Sequence, residues 1–166
     1  MELSEGKDKF LNAWGGLASN WGINRTMAQV HALLLISPHS LNADEIMNEL
    51  KISRGNANMN IRALVDWNLV FKEIRQGERK EFFYAEKNMW EVFKQIVTQR
   101  KKKELEPIIK LFDEVSSVEG ECQESVEFCR VVKELKVMTC QADSILDSLT
   151  RTDPNWVTKC LLSVFK

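Results

Sequence analysis

The stretch Leu41–Val70, "LNADEIMNELKISRGNANMNIRALVDWNLV", constrains this chain more tightly than any other. Asn42 and Glu45 stand three residues apart ahead of an apolar rhythm. That is the spacing at which an Asn side chain and a Glu side chain each satisfy the other's unpaired amide at a helix start. It predicts a short helix through about Leu50, with Ile46, Met47 and Leu50 turned inward. Only Lys51 and Ile52 then precede Ser53, a second candidate cap followed three residues later by Asn56. Two short helices joined so tightly cannot lie side by side. They must cross steeply, which is the geometry of a helix-turn-helix.

The second of these helices, Ser53–Asp66, has two unlike sides. Ala57, Ile61 and Leu64 fall together with Val65 near them, while Gly55, Met59 and Arg62 fall opposite and Asn56 and Asn58 lie on the flanks. An ordinary exposed helix would use Glu, Lys, Gln and Ala, because Asn and Gly are poor helix formers. A helix entering a major groove has different needs. Gly55 removes bulk so that the backbone can approach, amides offer paired donors and acceptors to adenine, and Arg reaches guanine edges or phosphates. The N–H groups at the helix start also favour a phosphate. The candidate DNA-contacting residues here are Ser53, Arg54, Gly55, Asn56, Asn58, Met59 and Arg62.

The helix should end near Trp67 and Asn68, since Asn tolerates the left-handed conformation found just past helix ends. "LVFKEIR", "QGER" and "KEFFYAE" then read as two strands about a Gly-containing turn. A hairpin in that place is the wing of a winged helix, spanning 72–83. Arg75, Arg79 and Lys80 bracket its tip as candidates for minor-groove or backbone contact. Singly, each could be a solvated charge that blunts a strand edge. Beside a recognition helix, the group suits phosphates.

Charge is segregated in the same sense. Residues 51–103 hold 13 Lys or Arg against 6 Asp or Glu, whereas residues 1–50 hold 3 against 6 and residues 104–166 hold 7 against 12. A basic middle between acidic ends points to one face built for a polyanion. "RKKK" at 100–103 reads as the solvated face of a helix.

The flanks read as helices. Ser4 is a candidate cap for a first helix to about Ser19, with Phe10, Trp14, Leu17 and Ala18 as its stripe and "GG" at 15–16 hinting at close packing or a bend. Asn24 can cap a second, with Val30, Leu33, Leu34 and Ile36 buried and Pro38 just past its end. Asn88 opens another, with Trp90, Phe93, Ile96 and Val97 inward. Pro107 demands a kink or break, Gly120 interrupts, and residues 121–149 carry a long pattern through Val126, Cys129, Val132, Leu135, Ala142, Ile145, Leu146 and Leu149. "TDP" at 152–154 starts a last helix bearing Trp156, Val157, Cys160, Leu161 and Val164.

An enzyme is not indicated. No nucleophile–base constellation, phosphate-cradling glycine loop or metal-ligand cluster is present, and His31 and His39 read as structural. Cys122, Cys129, Cys140 and Cys160 contain no CxxC pair and read as reduced thiols. No cofactor is expected. The first residues, "MELSEGKDKF", lack a signal-peptide apolar region, so a cytoplasmic location is expected. No apolar run approaches the roughly 20 residues that span a bilayer.

"ISRGNANMNIRALVDWNLV", "GERKEFFYAEKNMWEVFKQIVTQRKKKELEP" and the upstream "WGINRTMAQVHALLLISPHSLNADEI" resemble the GbsR-type branch of the MarR-like winged-helix transcriptional regulators, over residues 21 to about 107. The resemblance implies a cytoplasmic homodimer that binds operator DNA and represses or activates nearby genes. Its DNA-reading helix maps onto Ser53–Asp66 and its wing onto Lys72–Phe83. Asn68 stands where Gly is usual at the helix exit, and nothing after Pro107 matches a motif. Some relatives respond to choline, and a quaternary ammonium would want an aromatic cage. Trp14, Trp67, Trp90 and Trp156 fall where the core uses their bulk, which leaves Trp21 and an effector of unidentified chemistry.

The expected fold class is mainly α with a small β wing, a winged helix-turn-helix plus N- and C-terminal dimerisation helices. Residues 1–103 read as the N-terminal helix and DNA-binding domain, and residues 104–166 as a C-terminal helical dimerisation and effector region. The expected function is a sequence-specific double-stranded DNA-binding transcriptional regulator, a repressor acting as a homodimer. The rival is a winged helix used for protein–protein interaction, which predicts exposed apolar residues on the recognition helix. Only Met59 qualifies.

Overall fold

The computed structural model describes residues 1–20, 22–120 and 122–152. Its elements are α1 (Leu3–Asn20), α2 (Arg25–Ile36), β1 (Leu41–Asn42), α3 (Ala43–Leu50), α4 (Arg54–Asp66), β2 (Val70–Ile74), β3 (Glu81–Ala85) and α5 (Met89–Arg100). A π-helical turn at Lys101–Leu105, α6 (Glu106–Val115) and α7 (Gln123–Arg151) follow. Two compact units result, Met1–Val92 and Phe93–Lys166.

Side-chain caps punctuate the first unit. The Asn24 carbonyl oxygen accepts from the Met27 N–H at 3.0 Å. Asn42 accepts from the amides of Asp44 and Glu45, and Glu45 reaches back to the Asn42 N–H at 2.7 Å, completing the reciprocal pair. Ser53 Oγ accepts from the Asn56 N–H, and Asn88 accepts from Trp90 and Glu91. Asn68, with φ 56°, ends α4 while the Leu69 N–H reaches back to the Leu64 carbonyl. Lys51 closes α3 at φ 53° in the same left-handed region, and this residue bends the chain between α3 and α4.

Helix α2 is the centre of the unit. It packs on α1, α3, α4 and β3, and Val30, Ala32, Leu33 and Leu34 are buried along it. The approach to α1 is close: a Cβ on Gly15 would stand 2.9 Å from Gln29 Cγ and 3.1 Å from Arg25 Cγ. Helix α4 packs on α2, α3 and β2, burying Ala57, Ile61 and Leu64. The antiparallel sheet has the order β1-β3-β2. Phe83 is paired with Leu41 on one side and Lys72 on the other. Gly77, with φ 85°, turns the hairpin, and the Glu78 N–H closes that turn on the Arg75 carbonyl.

Several expectations change. Ser4 lies inside α1 rather than capping it. The α1 stripe is Leu11, Gly15 and Ala18, with Leu17 exposed, because α2 approaches the glycine side. Ile36 sits at the exposed end of α2. Leu41–Asn42 form a strand that the sequence concealed, since two residues carry no periodicity and β3 supplies the pairing. Val92, not Phe93, is the buried residue of α5.

In the second unit Pro107 neither kinks nor breaks the path through a cap. Lys101–Leu105 widen into a π turn, with the Glu106 N–H bonded to the Lys101 carbonyl. That widening makes room for the proline ring and its missing donor. Helix α7 packs on α6 and on the π turn. Lys101 pairs with Asp143 at 3.2 Å and with Asp147, and Lys136 pairs with Asp113 at 2.8 Å. Val132 is buried, whereas Val126, Leu135 and Ile145 are exposed. Trp21 and the predicted last helix, with Trp156, Val157, Cys160, Leu161 and Val164, lie outside the described residues.

Two polar side chains mark α2. Lys87 Nζ donates to the carbonyls of Leu34, Leu35 and Ser37 at 2.6–2.8 Å, tying the exit of β3 to the end of α2. Its positive charge suits that helix terminus. His31 is 3% exposed, and its Nε2 has no hydrogen-bond partner. Burial, with a smaller contribution from the Lys87 charge, lowers its pKa from 6.5 to about 4. The folded state therefore holds His31 neutral where the unfolded chain takes up a proton. Stability that is complete above pH 6.5 is lost as the pH falls toward 4, by about 3 kcal/mol for a shift of this size. Denaturant melts across that window should show the loss, and His31→Gln should flatten it.

Candidate nucleic-acid interface

Helix α4 reaches the surface with one side sealed. Ala57, Asn60, Ile61 and Leu64 are buried, at the spacing of a single helical face. Asn60 is 3% exposed, and its Nδ2 donates to both the main-chain carbonyl and the side-chain oxygen of Asn56, at 2.8 and 2.7 Å. A buried amide so satisfied is framework. It orients Asn56 from behind.

The other side carries Arg54, Gly55, Met59 and Arg62, all exposed, with Asn58 half-buried beside them. Met59 is 58% exposed. A Cβ on Gly55 would meet nothing within 4 Å, so nothing in the chain itself requires a glycine there. Asn58, Arg62 and Asp66 line an open cleft of about 510 Å³ against Lys72, Glu81 and Phe83 of the hairpin. Helix α4 and the hairpin thus share one concave surface.

The hairpin cations are not equivalent. Arg75 lies over the Phe82 ring, 3.9 Å from its centroid. Its guanidinium also donates to Ser40 Oγ at 2.7 Å and to Glu73 at 3.4 Å. Ser40 donates in turn to Glu73, whose pKa is lowered first by that hydrogen bond and then by Arg75. Arg75 is therefore committed to the sheet. Lys72 pairs with Glu81 across the strands at 3.0 Å. Arg79 and Arg62 are exposed, with no ion pair among the described residues. Arg54 and Lys80, from different elements, converge on one carboxylate, Asp44, at 2.6 and 2.9 Å.

Sequence reasoning missed Asp44, Asn60 and the Ser40–Glu73 link. Asn60 was within reach, since it shares the 57, 61, 64 face. Asp44 lay inside the capping motif and was absorbed by it. Ser40 and Glu73 are 33 residues apart, a pairing only the fold creates.

No protein-family model matches the chain, and no curated protein does. Among solved structures, one described as a transcriptional regulator is similar to 88% of this chain and 97% of its own, at 17% identity and TM-score 0.67. The fold is a winged helix-turn-helix. A mutant of S. aureus MepR bound to an oligodeoxyribonucleotide gives 12% identity and TM-score 0.41 over 89% of this chain and 92% of its own. A MarR transcriptional regulator from Methanosarcina mazei Go1 gives 16% and 0.37 over 85% and 94%. These two superpose too loosely to add to the fold assignment.

Gly55 yields a direct test of the surface. An alanine there has open space and a better helix propensity, so Gly55→Ala should raise unfolding stability by about 0.5–1 kcal/mol. Chemical denaturation measures it, and a loss of stability would mean that the chain itself needs the glycine.

Proposed function

We propose that this protein is a sequence-specific double-stranded DNA-binding transcriptional regulator, a repressor of the GbsR-type branch of MarR-like regulators that acts in the cytoplasm as a homodimer. The observation that carries this reading is the two-sidedness of α4. One face is sealed by Ala57, Asn60, Ile61 and Leu64, and the other presents small, amide and guanidinium groups to solvent.

In this reading α4 enters the major groove. Asn58 and Arg62 meet base edges, Arg54 and the amides at the helix start meet phosphate, and Gly55 lets the backbone come close. Ser53, Asn56 and Met59 complete the helix contact. Arg79 and Lys80 lie along the minor groove or its phosphates, and Arg75 holds the hairpin that carries them.

A single winged helix reads few base pairs, and two half-sites about 34 Å apart are the usual source of specificity. Phe128, Leu135, Met138 and Ile145 of α7, with Ile108 and Leu111 of α6, are exposed apolar residues. A second copy covering them would set the spacing of the two reading heads. An effector, of unidentified chemistry, would act by changing that spacing.

Fragments of genomic DNA selected by the purified protein give the enriched duplex, and its affinity is then followed by anisotropy against salt. Binding should weaken roughly a thousandfold or more between low and moderate salt, as released counterions are no longer favoured. Absent binding, or indifference to ionic strength, would instead support a protein-interaction module. Arg62→Ala and Asn58→Ala should relax sequence preference by about 1–3 kcal/mol, whereas Lys80→Ala should weaken every sequence alike. Gly55→Ala should lose affinity despite its gain in stability.

A further inference from the structure

Asp44 occupies the second position of α3, directly behind the cap: its N–H is held by Asn42 Oδ1 at 2.9 Å. Its side chain leaves the helix start and meets two cations from two other elements. Oδ1 pairs with Arg54, the first residue of α4, at 2.6 Å, and Oδ2 pairs with Lys80, just ahead of β3, at 2.9 Å. Each oxygen serves one cation. All three side chains are open to water, at 36% exposure for Asp44, 69% for Arg54 and 59% for Lys80.

We propose that Asp44 is an affinity-setting residue of the DNA-binding surface, a built-in carboxylate that competes with DNA phosphate for Arg54 and Lys80. The proposal rests on the DNA-binding reading above. Both cations sit where that reading places phosphate contacts, and in the free protein they share one anion, which offsets one of their two charges. A duplex can use them only by displacing Asp44 or by bringing phosphate up against it. Either route offsets part of the gain that two free cations would give on any sequence whatever. Base-edge contacts from Asn58 and Arg62 are untouched, so correct and incorrect sequences lose by the same factor. The carboxylate thereby lowers overall affinity and leaves discrimination to the base-edge contacts.

The electrostatics agree. The hydrogen bond from Lys80 and its charge, with Arg54 adding, hold the Asp44 carboxyl below the usual carboxylate range. It is therefore ionised wherever the protein would meet DNA. Its exposure also means that exchange for phosphate requires no unpacking of the core.

The test uses full-length protein, the enriched duplex and a scrambled duplex of equal length, titrated over a range of salt. Asp44→Asn keeps the shape and the backbone cap, and circular dichroism with thermal melting verifies the fold. It should bind the scrambled duplex about tenfold more tightly, with a log affinity against log salt slope steeper by about one. The enriched duplex should gain by a similar factor, so the ratio between the two is kept. In a background carrying Arg54→Gln and Lys80→Gln, adding Asp44→Asn should gain much less than it does in the wild-type background. An Asp44→Asn protein that melts as wild type yet shows unchanged slope and unchanged or weaker scrambled-duplex affinity would overturn the proposal while leaving DNA binding intact. Wild-type protein that binds neither duplex would remove both readings together.

Discussion

The seam between α2 and α4 sets everything on the surface of the first unit. Val30, Ala32, Leu33 and Leu34 are buried on one helix, and Ala57, Ile61 and Leu64 on the other. A fully buried Leu or Ile contributes about 1.5–3 kcal/mol through the area it removes from water. Rotating α4 by even one residue position would expose these groups and bury Arg62 or Met59 in their place. Burying an unpaired guanidinium there would cost several kcal/mol more. The outward face of α4 is thus dictated by what the inward face must do. Asn60 is compatible with that burial because its amide finds two acceptors on Asn56, one turn earlier in the same helix.

Around that seam the cations of the basic block divide into three kinds. Arg75 and Lys87 are structural, the first stacked on Phe82 and bonded to Ser40, the second closing the carbonyls at the end of α2. Arg54, Lys72 and Lys80 are paired with carboxylates at the surface, where such pairs are weak and exchangeable. Arg62 and Arg79 stand exposed without an ion pair among the described residues. Net charge along the sequence sees none of this. Of the 13 basic residues of that block, those paired with carboxylates find them on α3, on the hairpin, in the π turn and on α7.

Local chemistry was legible in the sequence where a side chain answers its own backbone. Asn24, the Asn42–Glu45 pair, Ser53, Asn68 and Asn88 all act within a few residues of themselves, and each boundary they announced is present. Apart from Ser4, a local cap that lies inside α1 instead, failures came where a partner lies far along the chain. Leu41–Asn42 become a strand only because β3 returns beside them. Leu11 replaces Leu17 in the α1 stripe because α2 docks on Gly15. Pro107 was legible as a disturbance, but a π turn and a break both accommodate it, and propensity does not choose between them. The exposed face of α4 could be read because it is a helical periodicity; the Asp44 bridge could not, because it joins residues 44, 54 and 80 through three elements.

Gly15 and Gly55 show how the same residue can answer to opposite demands. Both lie within helices, where glycine costs close to 1 kcal/mol relative to alanine. At Gly15 the reason is inside the molecule: a Cβ would stand 2.9 Å from Gln29 Cγ, and the approach of α1 to α2 would have to open. At Gly55 no such neighbour exists, since a Cβ there would meet nothing within 4 Å. A local rule broken without compensation inside the fold points to something outside it. Gly55 sits in the first turn of α4, next to Arg54 and on the same exposed side as Met59 and Arg62. On the proposed function the edge of a double helix fills that space: it comes close to the main chain, carries acceptors for amide and guanidinium groups, and leaves little room for a methyl group.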